Sequence, residues 1–527
     1  MQFDVVVIGA GVNGLVAATF LAKAGLKTLV LERSDRIGGS AITSEIAPGF
    51  RGPTLAHSAA IDPAIIRSLG LDRHGLQIVR PEAHAFAPTL DGRALVLWAD
   101  ATRAAREVAA FSPRDAERYP QFLASFARIA AVLRAINAAV APSIDDPTAG
   151  DVIELLKTGR RFRSLGKADA YRLLRWMPMA VADLVSEWFD SEPLRATVAA
   201  GGILGSFLGP WSAGSGALLL LLGAAEGQPI ATGWSAHGGI GAVSDALASA
   251  ARQAGVEIRT AADVRAISID ESGATGVVLA TGDDIRARAV VSSADPKRTL
   301  LGLVDPMQLA PDFTRRLHNI RTHGTLAKVN YAVSRLPQFR ALKAGDGQHQ
   351  ALSGRIRLAR DVDGIERAFD AAKYGGYGDE PWIEVTIPSL LDQTLAPAGQ
   401  HVLSTYVQYA PYCLRGTNWD AESDRLADRV TRTISAYAPG FESTVVGRQV
   451  ITPLDLERTY GLTGGHIFHG EITLDQFFVT RPLLAWARYR TPVARLYLCG
   501  SGTHPGTGLN GRSGALAAKE IARELKR

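Results

Sequence analysis

Residues 5–43 read VVVIGAGVNGLVAATFLAKAGLKTLVLERSDRIGGSAIT. The run from Phe3 to Ile8 is apolar and largely β-branched, the pattern of a parallel strand buried on both faces. It leads into Gly9, Gly11 and Gly14, the spacing of a dinucleotide loop. Gly9 allows the tight turn, Gly11 lets the backbone approach a pyrophosphate, and Gly14 lets a helix pack close on the strand. An Ala/Leu-rich helix over 12–24 follows and stops near Gly25. Its N-terminus offers free N–H groups and the positive end of a dipole to phosphate. A second strand, Lys27–Leu31, ends at Glu32. A carboxylate there accepts hydrogen bonds from ribose hydroxyls and repels a 2′-phosphate, which disfavours NADP.

The next residues separate the remaining dinucleotides. Arg36, Gly38, Gly39 and Thr43 form an RxGGxxxT extension that resembles the glutathione-reductase-type flavoproteins of the amine-oxidase and phytoene-desaturase branch. NAD dehydrogenases generally lack it. The paired glycines let the chain pass close to the cofactor, and Arg36 reaches toward phosphate or ribose. FAD is therefore expected.

Bulk properties narrow the rest. A chain of 527 residues is too long for one core, and two to four domains are expected. The net charge of +5 is small for this length and the basic residues are interleaved with acids, which argues against nucleic acid as a partner. The two cysteines, Cys413 and Cys499, form no CxxC, so dithiol redox chemistry, a disulfide framework and a zinc cluster are all excluded. An apolar strand begins at residue 3 with no recognisable signal or transit sequence before it, so a cytoplasmic location is expected.

Residues 60–195 read mainly as helices, most clearly FLASFARIAAVLRAINAAV at 122–140. From Ala196 to Ala225 no residue is charged, but seven glycines and Pro210 break the run, which suits the wall of an apolar cavity better than a membrane span. Just upstream, residues 157–175 carry seven basic side chains and one acid. A solvated face is the plain reading of that stretch; peripheral contact with an anionic membrane is the sharper one. Residues 238–270 read as turn, helix and strand, and 275–282 and 284–296 as alternating strands. Gly238, Gly239 and Gly241 follow no strand, and no second dinucleotide loop occurs, so NAD(P)H is not expected as routine reductant. Residues 384–411 read as antiparallel strands around a loop. Near the end, a strand reaching Gly500 runs into the glycine-rich SGTHPGTGLNGRSG and a final helix from about 513. A glycine loop feeding a helix N-terminus suits negative charge at a flavin N1–C2=O edge.

These segments together resemble the phytoene-desaturase-like FAD oxidoreductases along nearly the whole chain. The resemblance is carried by RIGGSAITSEIAPGF (36–50), VVSSADP (290–296), DQTLAPAGQH (392–401) and LYLCGSGTHPGTGLNG (496–511). LTGGHIFHGEITLDQFFVTRP (462–482) is most similar to the branch named for pyridine nucleotide-disulphide oxidoreductase domain-containing protein two. The resemblance implies an α/β fold: a Rossmann-like FAD-binding domain assembled from 1–75, 229–300 and 481–527, with a discontinuous α+β substrate domain. The latter comprises a helical, membrane-facing part (76–228) and a part of sheet and helices (301–480). It implies noncovalent FAD held by Gly9, Gly11, Gly14, Glu32, Arg33, Arg36, Gly38, Gly39 and Ser40, with Val264 meeting adenine through its backbone. Gly500, Ser501, Leu509 and Asn510 would lie beside the flavin.

The expected chemistry is removal of hydride from C–H bonds of an apolar, polyene or lipid-like substrate, with the electrons passed to oxygen or a quinone. Hydride transfer needs positioning more than side-chain chemistry, and a base only where a proton must also leave. His504, in the flavin loop, is the first candidate catalytic residue; His466 and His469, beside Glu471, are the second. No metal is expected, because the glycine-rich setting of HxxHxE gives no rigid ligand geometry. A flavin amine oxidase, a hydride-neutral isomerase and a noncatalytic flavin-bearing scaffold stand as alternatives, and an oligomer is left open.

Overall fold

The computed structural model describes residues 3–144, 147–230, 232–342 and 347–526. Its first sheet is organised around the strand Phe3–Ile8. That strand lies between Thr28–Leu31 and Asp284–Ser292; Glu257–Arg259 extends one side and Leu496–Leu498 the other, all parallel. Strands of this kind need cover on both faces, and the side chains divide accordingly. Val5 and Val7 pack with the helices Val12–Lys23, Gly241–Gln253 and Arg512–Leu525. Val6 and Ile8 face an antiparallel meander built from Val264–Asp270, Gly273–Leu279 and the first half of Asp284–Ser292.

The second sheet has seven strands. Its order is Val445–Ile451, Leu326–Val333, His401–Gln408, Ile383–Thr386, Arg355–Leu358, Ala83–Pro88 and Ala94–Trp98. All pairs are antiparallel except Arg355–Leu358 with Ala83–Pro88. The sheet's apolar face and the helices of 101–224 share one large core.

The helical expectation for 60–195 needs correction at 83–98. This stretch is a β-hairpin closed around Asp91-Gly92, with the Thr89 N–H donating to Arg93 O at 2.8 Å. Its alternation and its Asp-Gly turn were the available signal. Downstream the chain is helical, with a long helix at Pro113–Asn137 and another at Ala149–Ser164. Within the uncharged stretch, Ser215–Ala224 is a helix whose Leu218–Leu221 lie fully inside the core. Among the described residues no helix is long and apolar enough to cross a membrane.

The first and last helices hold the two ends of the chain together. A Cβ on Gly514 would collide with Asn13 O, so the backbones touch only because residue 514 has no side chain. Asn13 also donates from Nδ2 to Ser501 Oγ at 3.3 Å, and its Oδ1 accepts from the Gly514 N–H at 3.3 Å. Gly514→Ala is expected to cost about 1–3 kcal/mol by forcing these helices apart, read as a lower melting temperature. Gly159→Ala, in a helix where a new Cβ meets nothing, is expected to gain up to about 1 kcal/mol.

Candidate functional site

An open cleft runs from the N-terminal glycine loop to the second sheet. Gly9, Gly11, Val12 and Asn13 form one end, with Glu32, Arg33, Ala262 and Val264 beside them. Ser501, Thr507, Gly508 and Leu509 of the C-terminal loop line the same cleft, as do Ser40 and residues Ala56 to Ala60 except His57. Beyond them the walls come from Leu204, Leu222, Leu326, Ile451, Ile467 and Phe468.

The nucleotide end is built for a pyrophosphate. Gly9 has a φ of +93°, which favours glycine, and a Cβ on Gly14 would strike Gly9 O. The first helix carries no side-chain cap and no acid in its first turn, so its leading N–H groups face the cleft free to bind an anion. The Gly38 N–H donates to Ala10 O at 2.9 Å, and Gly38 pairs with Gly11. That bridge holds the RIGG segment against the loop. Glu32 is oriented by the Ala10 and Ser34 N–H groups, at 2.8 and 3.0 Å. Arg33 and Arg298 crowd Gly461 from the same side; burial, and then the Arg298 charge, lower the Arg33 pKa. At the other end the last helix begins at Gly511, again without a side-chain cap. The anion-seeking loop, the ribose-seeking acid and the uncapped helix ends all suit FAD.

The sequence-derived residues divide into those in the wall and those behind it. Gly9, Gly11, Glu32, Arg33, Gly39, Ser40, Val264, Ser501 and Leu509 line the cleft. Gly14 and Gly38 act from behind, through the backbone contacts above. Gly500 packs against Ser293 O. Asn510 braces its own loop, donating to Thr507 O at 2.9 Å and accepting from the Arg512 N–H at 2.8 Å. Arg36 is exposed and forms no part of the wall.

The three histidines part company. His504 sits in the expected loop, but its ring packs against Phe477 and Phe478 and its Nε2 lies 3.2 Å from Ala139 O, away from the cleft. His466 is fully buried; its Nδ1 accepts from the Phe468 N–H at 3.2 Å and its Nε2 lies 3.5 Å from Glu471 Oε1. Neither is among the residues that line the cleft. His469 does line it. Burial, only partly offset by Asp295, lowers its pKa to about 4 and keeps the ring neutral. Glu471 accepts from the Phe207 N–H at 2.9 Å. Among the described residues no cluster of metal-ligating side chains occurs.

One buried guanidinium fixes this segment. Arg481 donates to Phe468 O, Glu471 O, Gln476 O and Ser501 O at 2.7–3.1 Å. Burial lowers its pKa to about 10.

Sequence reasoning missed the polar side chains of the second sheet. Lys328, Arg355 and Tyr406 line the cleft. Lys328 is buried and donates from Nζ to Pro53 O at 2.9 Å and Leu55 O at 2.7 Å. Burial, and then the Arg355 charge, push its pKa well below the ordinary lysine range. A lone lysine in an alternating strand gave one signal: in LAKVNYAV it occupies a position whose neighbours are all apolar or small enough to be interior.

Known proteins agree with this geometry. The family profile of flavin-containing amine oxidoreductases matches residues 13–522. The chain belongs to that family. It is an FAD-dependent oxidoreductase. The pyridine nucleotide-disulfide oxidoreductase domain-containing protein 2 of Rattus norvegicus is 38% identical over all of this chain and 94% of its own length. The lycopene-forming phytoene desaturase of Pantoea ananas is 26% identical over 97% of each chain. A putrescine oxidase structure shares the fold, with a TM-score of 0.61 at 18% identity over 100% of this chain and 99% of its own. The resemblance to phytoene-desaturase-like FAD oxidoreductases, the Rossmann-like FAD fold and the FAD cofactor read from the sequence all stand.

Within this family member, Gly14→Val is expected to give a folded but colourless protein, because the added branch displaces Gly9 from the phosphate-binding turn. The ratio of flavin to protein absorbance in the purified variant checks it; full yellow colour would refute the loop assignment.

Proposed function

We propose that the enzyme removes hydride from a C–H bond of an apolar, polyene or lipid-like molecule, and that the electrons pass on to oxygen or a quinone. The observation that carries this reading is the continuity of the cleft. The same space that begins at the nucleotide loop ends among Leu204, Leu222, Leu326, Ile451, Ile467 and Phe468. Such walls exclude water and hold an apolar chain by burial, at about 25 cal/mol per Å². The bound FAD supplies the hydride acceptor. Desaturation also releases a proton from the adjacent carbon, and Lys328 is the group suited to take it up, as a buried amine held far below its ordinary pKa. An amine substrate is disfavoured because the Arg355 guanidinium in the wall would repel an ammonium group.

The test is anaerobic bleaching of the flavin. Polyenes or unsaturated lipids are expected to bleach it and amines to leave it yellow; bleaching by amines alone would reverse the assignment. Lys328→Met is expected to keep its flavin and to slow bleaching by about 100-fold, the lower end of what a positioned proton acceptor contributes.

Contact with a bilayer would give such a substrate a route in. The helix Ala149–Ser164 buries only Asp151, which its Arg488 partner holds at 3.0 Å. Val152, Ile153, Leu155 and Leu156 are exposed, as are Tyr171 and Leu174 of the helix Gly166–Trp176. Lys157, Arg160, Arg161 and Arg163 follow them along the same helix. An apolar stripe followed by cations suits an anionic lipid surface. Co-sedimentation with phosphatidylglycerol vesicles at low salt is expected, weakened several-fold by Leu155→Asp with Leu156→Asp. No co-sedimentation at low salt would reject the contact.

A further inference from the structure

We infer that the molecule held in the cleft carries one carboxylate, bound by Arg355 at the sheet end; this rests on the apolar-substrate reading above. Arg355 is 7% exposed and lines the cleft. Its Nη2 is occupied, donating to Ser58 Oγ at 2.6 Å and Thr232 O at 2.9 Å. Its Nη1 has no hydrogen-bond partner among the described residues. Glu384 approaches Nη1 only to 3.4 Å, and the same carboxylate serves Arg357 at 3.0 Å.

The nearby carboxylates leave Arg355 short of an acceptor. Glu384 is shared between the buried guanidinium groups of Arg355 and Arg357. Glu226 cannot answer Arg355, because its oxygens accept from the Gly233 N–H at 2.6 Å and from Thr232 Oγ1 and Gln228 Nε2 at 3.2 Å. Neither carboxylate therefore satisfies Arg355 Nη1.

A wholly apolar ligand would seal this unpaired Nη1 donor away from water. An unpaired buried donor costs about 1–3 kcal/mol, more when it is charged. A carboxylate on the same ligand accepts from Nη1 in a charge-assisted hydrogen bond. The rest of the cleft, being apolar, takes the hydrocarbon part. The ligand class is therefore an apolar acid, with the carboxylate distant from the nucleotide loop.

The test is titration of the native holoenzyme with linoleate, methyl linoleate and 1-octadecene, followed by perturbation of the flavin spectrum. Linoleate is expected to bind about tenfold more tightly than its ester, the factor that 1.4 kcal/mol represents. Arg355→Met is expected to bring acid and ester to equal affinity; Arg355→Lys keeps the charge and is expected to retain part of the preference. Equal binding of acid and ester by the native protein overturns the inference and leaves the apolar reading standing. No perturbation by any of the three overturns both. An Arg355→Met variant that shifts the flavin midpoint potential but keeps the acid preference assigns the guanidinium to the cofactor, and also overturns the inference.

Discussion

The parallel register at Ser292 is the constraint on which the site depends. Ser292 pairs with Ile8 on one side and with Leu498 on the other. Three chain segments far apart in sequence therefore end at one edge of one sheet, and their loops emerge side by side. Ligands of open parallel sheets bind at that carboxyl edge because helix N-termini and backbone N–H groups converge there. Ser293 fastens the arrangement, since its hydroxyl donates to Ile8 O at 3.0 Å and Gly9 O at 3.1 Å.

The nucleotide half of the cleft was legible because its information is local. Gly9, Gly11, Gly14 and Glu32 lie within one strand–helix–strand unit, and each has a geometric reason to be what it is. Their neighbours Ser40 and Ser501 followed from resemblance, and Gly38 and Asn510 proved to support the wall without facing it. The substrate half was not legible. Lys328, Arg355 and Tyr406 meet through the order of strands in the second sheet, an order that no spacing in the chain encodes. His504 shows a third limit: its loop was readable, while the direction of its ring depends on Phe477, Phe478 and Ala139, distant partners in sequence.

Charge placement separates the two ends of the cleft. Near the nucleotide loop, cations and free N–H groups stand at a half-exposed rim where phosphate charge is partly screened. At the sheet, the guanidinium groups of Arg355 and Arg357 are buried. Electrostatic interactions there are stronger and unpaired groups cost more. Residues of one sign thus perform different physical work according to depth, which total charge and composition do not reveal.

The grip of Arg481 on the carbonyls of Phe468, Gly470, Glu471, Gln476 and Ser501 has a mechanical consequence. It ties the segment 468–476 to the loop at Ser501, so those two walls move as a single rigid jaw. The facing border, where Leu222, Ala225, Glu226 and Gly233 line the cleft, is braced by a separate set of bonds, from the Gly233 N–H to the Glu226 carboxylate and from Arg134 to Ala224 O.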